Sequence, residues 1–420
     1  MYRTKKWNFK WRLSAVAAIS VCSVFHVFAQ NTNQPRPVQS VKDIFDATWA
    51  RQPEAQALET RHQALQAQKR AAAAWTPEPA AVELNSKSDQ WGRNLGEREQ
   101  QIAIAVPMWL PGQRSKSSAL AEAEVNALDH QIKANQLRVA GQIREDWWNL
   151  HRARIEKDVT TDQLNNAKRL AEDVSKRVKA GDLAQSDQHQ AEGAVAVAES
   201  AYAMAQANLE LAIQMIKASI GATSFSTLTL SDSPELLPSA EYPRNHAALM
   251  ELQARSDVAE RAMALAATRT RANPEFTIAK SRDRGNLADP YSSKITIGIR
   301  LPFGGGPRYE AVVAHAQAEA TQAQAQLTLE RDRTQSLWHF AQAKVNAAQA
   351  QLKAAERRAK LALESRTFFE KSFQLGESDL PTRLRIEVEA VEAQRQAALS
   401  RIEFFASISA LRQAAGLLPQ

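Results

Sequence analysis

A run of three glycines, Gly304 to Gly306, comes nearer to a chemical motif than anything else in this 420-residue chain. It lies between a predicted strand and a predicted helix, as phosphate-binding loops do. The run lacks the Gly-Lys-Ser/Thr ending of such a loop and the downstream acid of a dinucleotide fold. Pro307 suits the first turn of a helix. The pattern therefore favours a helix start over a phosphate site.

Other chemical patterns are absent from the sequence as well. The eight histidines are scattered, without the paired spacing of a metal site, and the only cysteine is Cys22. No nucleophile elbow and no His-Glu-x-x-His motif occurs. The sequence therefore predicts no catalytic, cofactor-binding or metal-binding residue, and we do not expect an enzyme.

The first 29 residues predict an export signal. A basic stretch precedes an apolar run over 13–28, and Ala29 offers a cleavage site before Gln30. The run is shorter than the roughly 20 residues that a bilayer span needs. An uncleaved anchor remains an alternative, as does lipidation at Cys22, although Val21 is bulky for a lipidation motif.

The basic charge lies mainly in this leader. Five of the 53 Lys and Arg residues and none of the 46 Asp and Glu residues lie in 1–29, so cleavage lowers the formal charge from +7 to +2. A charge this small predicts no nucleic-acid partner. The mean hydropathy of −0.43 excludes a polytopic helical membrane protein.

Three landmarks indicate an internal duplication. Alternating segments end at Pro107 and Pro302, turn glycines occur at Gly181 and Gly376, and helices end near Gly221 and Gly416. Each pair is separated by 195 residues. We therefore predict a first repeat over 30–222, a linker over 223–243 and a second repeat over 244–420.

Each repeat is predicted to contain a helix, a strand pair, a very long helix and a return helix. The first helices cover about 38–73 and 243–270, and prolines end them. The strands cover about 80–87, 98–107, 275–281 and 292–302, and alternating residues give each pair one apolar face. The long helices cover about 113–180 and 307–375, and the return helices cover about 183–221 and 378–415.

The long helices carry a narrow apolar stripe, which is typical of coiled coils. In the first one the stripe comprises Leu128, Ile132, Val139, Ile143, Trp147 and Leu150. We expect Trp147 and Trp148 to be packing residues rather than ligand groups. A helix of this length forms a rod of about 100 Å.

Four strands cannot close a membrane barrel, since the smallest single-chain barrels have about eight. Open edges in hydrocarbon would leave backbone groups unpaired at several kcal/mol each. We therefore predict a mainly α fold with membrane β-structure, in which a homotrimer forms a 12-stranded β-barrel continued by a long α-helical tube.

The order and doubling of these elements resemble TolC-like outer membrane efflux proteins over nearly the whole mature chain. The resemblance rests on the segments 106–112 (VPMWLPG) and 301–307 (LPFGGGP), and on 178–183 (VKAGDL) and 373–380 (FQLGESDL). It implies a passive conduit in the outer membrane of a Gram-negative bacterium, extending into the periplasm. The implied partners are a periplasmic membrane fusion (adaptor) protein, an inner membrane pump of the RND type and outer membrane lipid.

The resemblance also implies roles for particular residues. The two glycine turns form the periplasmic tip, where the partner docks; the tip residues are Gly181, Asp182, Leu183, Gly376, Ser378, Asp379 and Leu380. The same residues also suit simple helix capping. Some related proteins narrow the tip with carboxylates six and nine residues after each glycine, and of these positions here only Asp187 is acidic. Asp187 and Arg385, which occupies one of the other positions, are the candidates for the aperture lining, without the full ring of acids that selects cations.

Trp109 and Phe303 follow the strand ends, where aromatic residues mark a membrane interface. Core packing between barrel and tube is the equal alternative for both. The Pro-Glu pairs Pro77-Glu78 and Pro274-Glu275, and the lack of a lipidation motif, resemble the heavy-metal cation branch, although no Met, His or Cys cluster marks a metal path. Metal cations are therefore one expected cargo, beside the drugs and proteins that the family also exports. A periplasmic adaptor and a structural coiled-coil protein are the alternative functions.

Overall fold

The computed structural model describes residues 40–92, 94–221, 234–239, 241–242, 245–304 and 306–420. The predicted export signal with Cys22, most of the predicted linker, and Gly305 lie outside the described residues.

The first half contains α1 (Val41–Arg51), α2 (Pro53–Gln56), α3 (Leu58–Ala72), β1 (Ala81–Ser88), β2 (Arg98–Pro107), α4 (Gln113–Ala180) and α5 (Gln185–Ile220). The second half contains α6 (Ala247–Thr268), β3 (Glu275–Arg284), β4 (Ser292–Arg300), α7 (Gly306–Gln374) and α8 (Leu380–Ala414). The largest difference in the strands is in β3, which continues to Arg284, three residues beyond its predicted end.

The prediction of one helix over about 38–73 is wrong, because this region forms α1, α2 and α3. Gln52 has an extended backbone (φ −64°, ψ 137°) and separates the first two. It precedes Pro53, and a residue before proline is pushed out of the helical region. Pro53 then starts α2, where its missing N–H costs nothing.

The helices pack in two layers of four helices each, which follow one another along the long helices α4 and α7. Near the sheet, α3 packs on α4, α4 on α6, and α6 on α7. Gln68 donates to Glu124 over 2.6 Å in the first contact, and Ser256 donates to Gln324 over 2.9 Å in the last. Farther away the order is α5, α4, α8, α7. The α4 and α7 helices are therefore shared by both layers.

Three apolar clusters hold these layers together. The largest lies where α1, α4, α5 and α8 meet and contains Ile44, Trp147, Trp148 and Ile216. A second joins α7 and α8, and a third lies next to the glycine turns. Burial of the predicted α4 stripe is nearly complete, since only Val139 is partly exposed. Trp147 and Trp148 are packing residues, as predicted.

The described piece of the linker, 234–239, is fixed by a buried charge cluster. Glu235 lies 2.8 Å from an Nη of Arg144 and 3.3 Å from the Nε of Arg412. The three side chains are 5%, 4% and 3% exposed. Arg412 also donates to the carbonyl oxygen of Leu236 over 2.9 Å. The connection between the two halves is therefore bound to both α4 and α8.

Candidate functional site

The four strands form one antiparallel sheet in the order β1-β2-β3-β4, and one of its faces is apolar. The register aligns Val82, Ile104, Ile278 and Ile297 in a single row across the sheet. The side chains of this surface, here called the outer face, are 47–74% exposed: Val82, Leu84, Ile102, Ile104, Ile278, Ile295, Ile297 and Ile299. Such a surface needs an apolar environment.

The opposite face, here called the inner face, carries small and polar side chains. One of its rows consists of Glu83, Ala103, Ala279 and Thr296. Farther from the helices Lys294 pairs with Asp283 over 3.0 Å. An apolar face towards lipid and a polar face towards a lumen is the pattern of membrane β-barrels.

Both edges of the sheet are open. Within the described part of the chain β1 and β4 each have one strand neighbour, and every residue of β1 is exposed. Edge strands present unpaired N–H and C=O groups that another strand can bind.

Like the sheet, each helical layer has one open edge from the first half of the chain and one from the second half. Near the sheet the edges are α3 and α7, and farther away they are α5 and α7. The open side of α5 carries Val197, Met204 and Leu211 at heptad spacing, each at least 64% exposed. The open helix α7 carries Leu329, Phe340 and other exposed apolar side chains. At every level the first half supplies one edge and the second half supplies the other.

The end of the molecule far from the sheet consists of two turns with the same geometry. Gly181 and Gly376 have φ of 87° and 78°, which glycine adopts without strain. The N–H of Asp182 bonds to the carbonyl of Arg177 over 2.9 Å. Glu377 bonds to Ser372 in the same way, also over 2.9 Å. Both long helices therefore end in the same glycine C-cap, 195 residues apart.

The predicted tip residues divide into exposed and packed groups. Gly181, Asp182, Gly376 and Asp379 are exposed. Leu380 is only 1% exposed and packs in the cluster between the hairpins, and Leu183 packs against it. Ser378 is partly buried. The first group is therefore accessible at the tip, while the leucines join the two hairpins.

Asp379 caps α8, because its carboxylate accepts a hydrogen bond from the N–H of Thr382 over 3.2 Å. The hydrogen bonds from Thr382 lower the pKa of the Asp379 carboxyl. The sequence analysis missed Leu375, which precedes the second turn and is 74% exposed. Ala180 occupies the equivalent position in the first half, so comparing the two turns could have revealed this apolar side chain.

The two candidate aperture residues differ in their surroundings. Asp187 is partly buried, and its carboxylate accepts a hydrogen bond from the N–H of Ala184 over 3.0 Å at the start of α5. Arg385 is exposed on α8. Their place in an aperture depends on neighbouring copies and stays a prediction.

The aromatic residues near the sheet also differ from one another. Trp109 is partly buried, and its Nε1 donates to the carbonyl of Ala74 over 3.1 Å, which favours the packing role. Phe303 is 87% exposed at the end of β4. Trp75, which sequence reasoning missed, is 91% exposed before β1 at the same end of the sheet. Trp91 and Tyr291 lie in the loops at the other end. Exposed aromatic side chains therefore lie at both ends of the sheet.

No described helix has the length and apolar character to cross a bilayer. Among the described residues there is also no group of three or more His, Cys, Asp or Glu side chains placed to hold a metal ion.

No family model matches this sequence, and no curated protein matches it either. Solved structures of outer membrane proteins do match its fold. The outer membrane protein VceC of Vibrio cholerae has a TM-score of 0.74 at 16% identity, covering 90% of this chain and 96% of VceC. CusC, a protein described as forming a transmembrane channel, has the same score and identity, with coverage of 90% and 92%. The CmeC outer membrane channel of Campylobacter jejuni has a TM-score of 0.73 at 12% identity, covering 90% and 85%.

These similarities extend over nearly the full length of both chains in each comparison. At 12–16% identity they establish the fold. The resemblance to TolC-like proteins stated from the sequence is therefore confirmed for the fold, including its mainly helical composition and its small antiparallel sheet.

Proposed function

We propose that three copies of this chain form one channel in the outer membrane of a Gram-negative bacterium, which serves as the passive exit conduit of a tripartite efflux system. The chain then carries out no catalysis, and its work is to enclose a continuous water-filled path. The fold it shares with outer membrane channels supports this assignment.

The observation that carries the proposal is the apolar outer face on a sheet with two open edges. An apolar surface of this kind is stable against lipid. Unpaired backbone groups at β1 and β4 would each cost several kcal/mol in hydrocarbon, so the edges must be paired. Pairing β4 of one copy with β1 of the next satisfies both requirements.

Three copies of this four-stranded sheet supply twelve strands. The helical layers of the three copies close into a ring in the same order around the axis as the sheets do. The contact is head-to-tail, with the first half of one copy against the second half of the next. Such contacts form a closed ring when the rotation between copies allows it. The exposed stripes on α5 and α7 then become buried between copies, as the strand edges become paired.

The tip is the proposed docking site for the periplasmic adaptor, through which the channel receives cargo from an inner membrane pump of the RND type. Exposed Gly181, Asp182, Gly376 and Asp379, together with Leu375, form the available surface. Metal cations are the proposed cargo, on the sequence resemblance alone. A periplasmic adaptor and a structural coiled-coil protein, the alternatives from the sequence, leave the apolar outer face without a role.

Recording single channels in planar bilayers tests this function. We expect the purified exported chain to have the mass of three chains in detergent and to give discrete conductance steps. Asp187→Ala and Arg385→Ala should each change conductance or ion selectivity, because a charge is lost from a narrow pore. A monomer without conductance would refute the channel, whereas normal conductance and selectivity in both variants would remove only these two residues from the aperture.

A further inference from the structure

The outer face changes from apolar to cationic along β3. Ile278, Lys280, Arg282 and Arg284 alternate along this strand and therefore share the outer face. Lys280 lies in a row with Ile102 and Ile295, whereas Arg282 lies between Gln100 and Ser293. The positive side chains thus begin within the last apolar row and continue beyond it, towards the end of the sheet far from the helices.

Tyr291 holds two of these side chains in place. The guanidinium carbons of Arg282 and Arg284 lie 4.4 and 4.9 Å from the centre of its ring. Arg284 also donates from its Nε to the carbonyl of Gly96 over 3.0 Å. Cation–π contacts restrict the guanidinium groups without neutralising them, so the N–H groups other than the Nε–H of Arg284 can donate to an anion.

The basic side chains of the two faces differ in their pairing, with one exception. Arg98 lies opposite Arg284 on the outer face and pairs with Asp89 over 3.1 Å. On the inner face Lys87 pairs with Glu97 over 3.2 Å and Lys294 pairs with Asp283 over 3.0 Å. On the outer face neither Lys280 nor Arg282 has a carboxylate within 4.0 Å among the described residues. Uncompensated positive charge at this height is therefore directed outward, away from the proposed lumen.

The height of these residues matches a membrane surface. Phe303 follows the end of β4 that lies near the helices. Ser293, the partner of Arg282, lies ten positions before Phe303 in the chain. At about 3.3 Å per residue and a strand tilt of about 40°, the vertical distance is at most about 25 Å, the height of an apolar barrel band. Arg282 then lies where lipid headgroups begin.

We propose that Lys280, Arg282 and Arg284 bind the phosphate groups of a phosphorylated glycolipid in the outer leaflet. Guanidinium groups bind phosphate through paired N–H donors, and Lys280 adds a charge at the acyl–headgroup boundary. Tyr291 has the amphipathic ring that suits the same depth. This inference rests on the proposed function, because only a membrane-inserted barrel directs the outer face to lipid.

Binding of defined lipids to the purified protein in neutral detergent, counted by native mass spectrometry, tests the site. We expect diphosphoryl lipid A to be retained and dephosphorylated lipid A to be lost. At about 1 kcal/mol per charge, Lys280→Gln/Arg282→Gln should weaken binding about 25-fold and Lys280→Gln alone about fivefold. If the double variant fails to assemble, the single variant Lys280→Gln is used to test the binding. Lys87→Gln/Lys294→Gln, at similar height on the inner face, is the matched control and should bind as the wild type does.

Equal binding by the outer-face and inner-face variants would overturn the proposal, as would equal retention of phosphorylated and dephosphorylated lipid. Inorganic phosphate that displaces the lipid at equal concentration would reduce the site to an anion site and also overturn it. Conductance is recorded on the same preparations. Channels that form without phosphate-dependent lipid binding refute the lipid site alone, whereas an absence of channels refutes the proposed function.

Discussion

Glu235→Ala should destabilise the chain by about 3–5 kcal/mol, because it leaves buried positive charges without their counterion. Glu235 lies between Arg144 and Arg412, and all three side chains are at most 5% exposed. Burial lowers the pKa of the Arg412 guanidinium, and Glu235 is the carboxylate that opposes this effect. Without it, the two guanidinium groups repel each other and the described piece of the linker loses its anchor.

Urea unfolding of the detergent-solubilised protein measures this effect. The matched control is Glu356→Ala, which removes an equally short contact, 2.9 Å to Arg401, between side chains that are 44% and 60% exposed. Exposed ion pairs contribute about 0–1 kcal/mol, so the control should shift the unfolding midpoint only slightly. Equal shifts in the two variants would show that the buried cluster does not hold the halves together.

Ile297→Arg should nearly abolish assembled channels in the membrane. Ile297 lies in the middle apolar row of the outer face and is 68% exposed. An arginine on the lipid side at the bilayer centre costs about 2–4 kcal/mol, and the proposed trimer would carry that cost three times. The yield of trimers in outer membrane fractions is the measurement.

Thr296→Arg is the control for this substitution, since it changes the neighbouring residue to the same side chain on the inner face. In the proposed barrel this arginine faces the water-filled lumen, so trimers should form in nearly normal yield with altered conductance. If Thr296→Arg were lost from the membrane and Ile297→Arg retained, the two faces would have been assigned the wrong way round.

The sequence was sufficient for the strands and the long helices because their signals are local. Alternation, the absence of helix breakers and the spacing of Gly181 and Gly376 are all visible along the chain. The interruption between α1 and α2 at Gln52 could also have been predicted from a local rule, since a residue before proline is disfavoured in a helix, but the sequence analysis missed it. The end of β3 was placed three residues early, and the continued alternation at Arg282 and Arg284 was therefore missed.

Other features depend on contacts between distant parts of the chain. Glu235 contacts Arg144 and Arg412 only when both halves are folded, because the three residues are far apart in the chain. No pattern in the sequence therefore predicts this cluster. The exposure of Trp75, which the sequence analysis missed, and the partial burial of Trp109 likewise depend on how the segment before β1 contacts the start of α4. Leu380 looked like a docking residue from its place beside the turn, but packing between the hairpins buries it.

Chemical cross-linking between β1 and β4 tests most directly whether the barrel is shared between copies. Glu83 and Thr296 lie in the same inner-face row, three strands apart, so within one chain they are separated by about 14 Å. Two variants are made, Glu83→Cys/Thr296→Cys and Asn85→Cys/Thr296→Cys, which test two registers between β1 and β4 of neighbouring copies. Each is treated in outer membranes with a bifunctional thiol reagent shorter than that distance. We predict covalent dimers and trimers on denaturing gels for at least one register, whereas chains that remain monomers in both would contradict closure of the barrel by three copies.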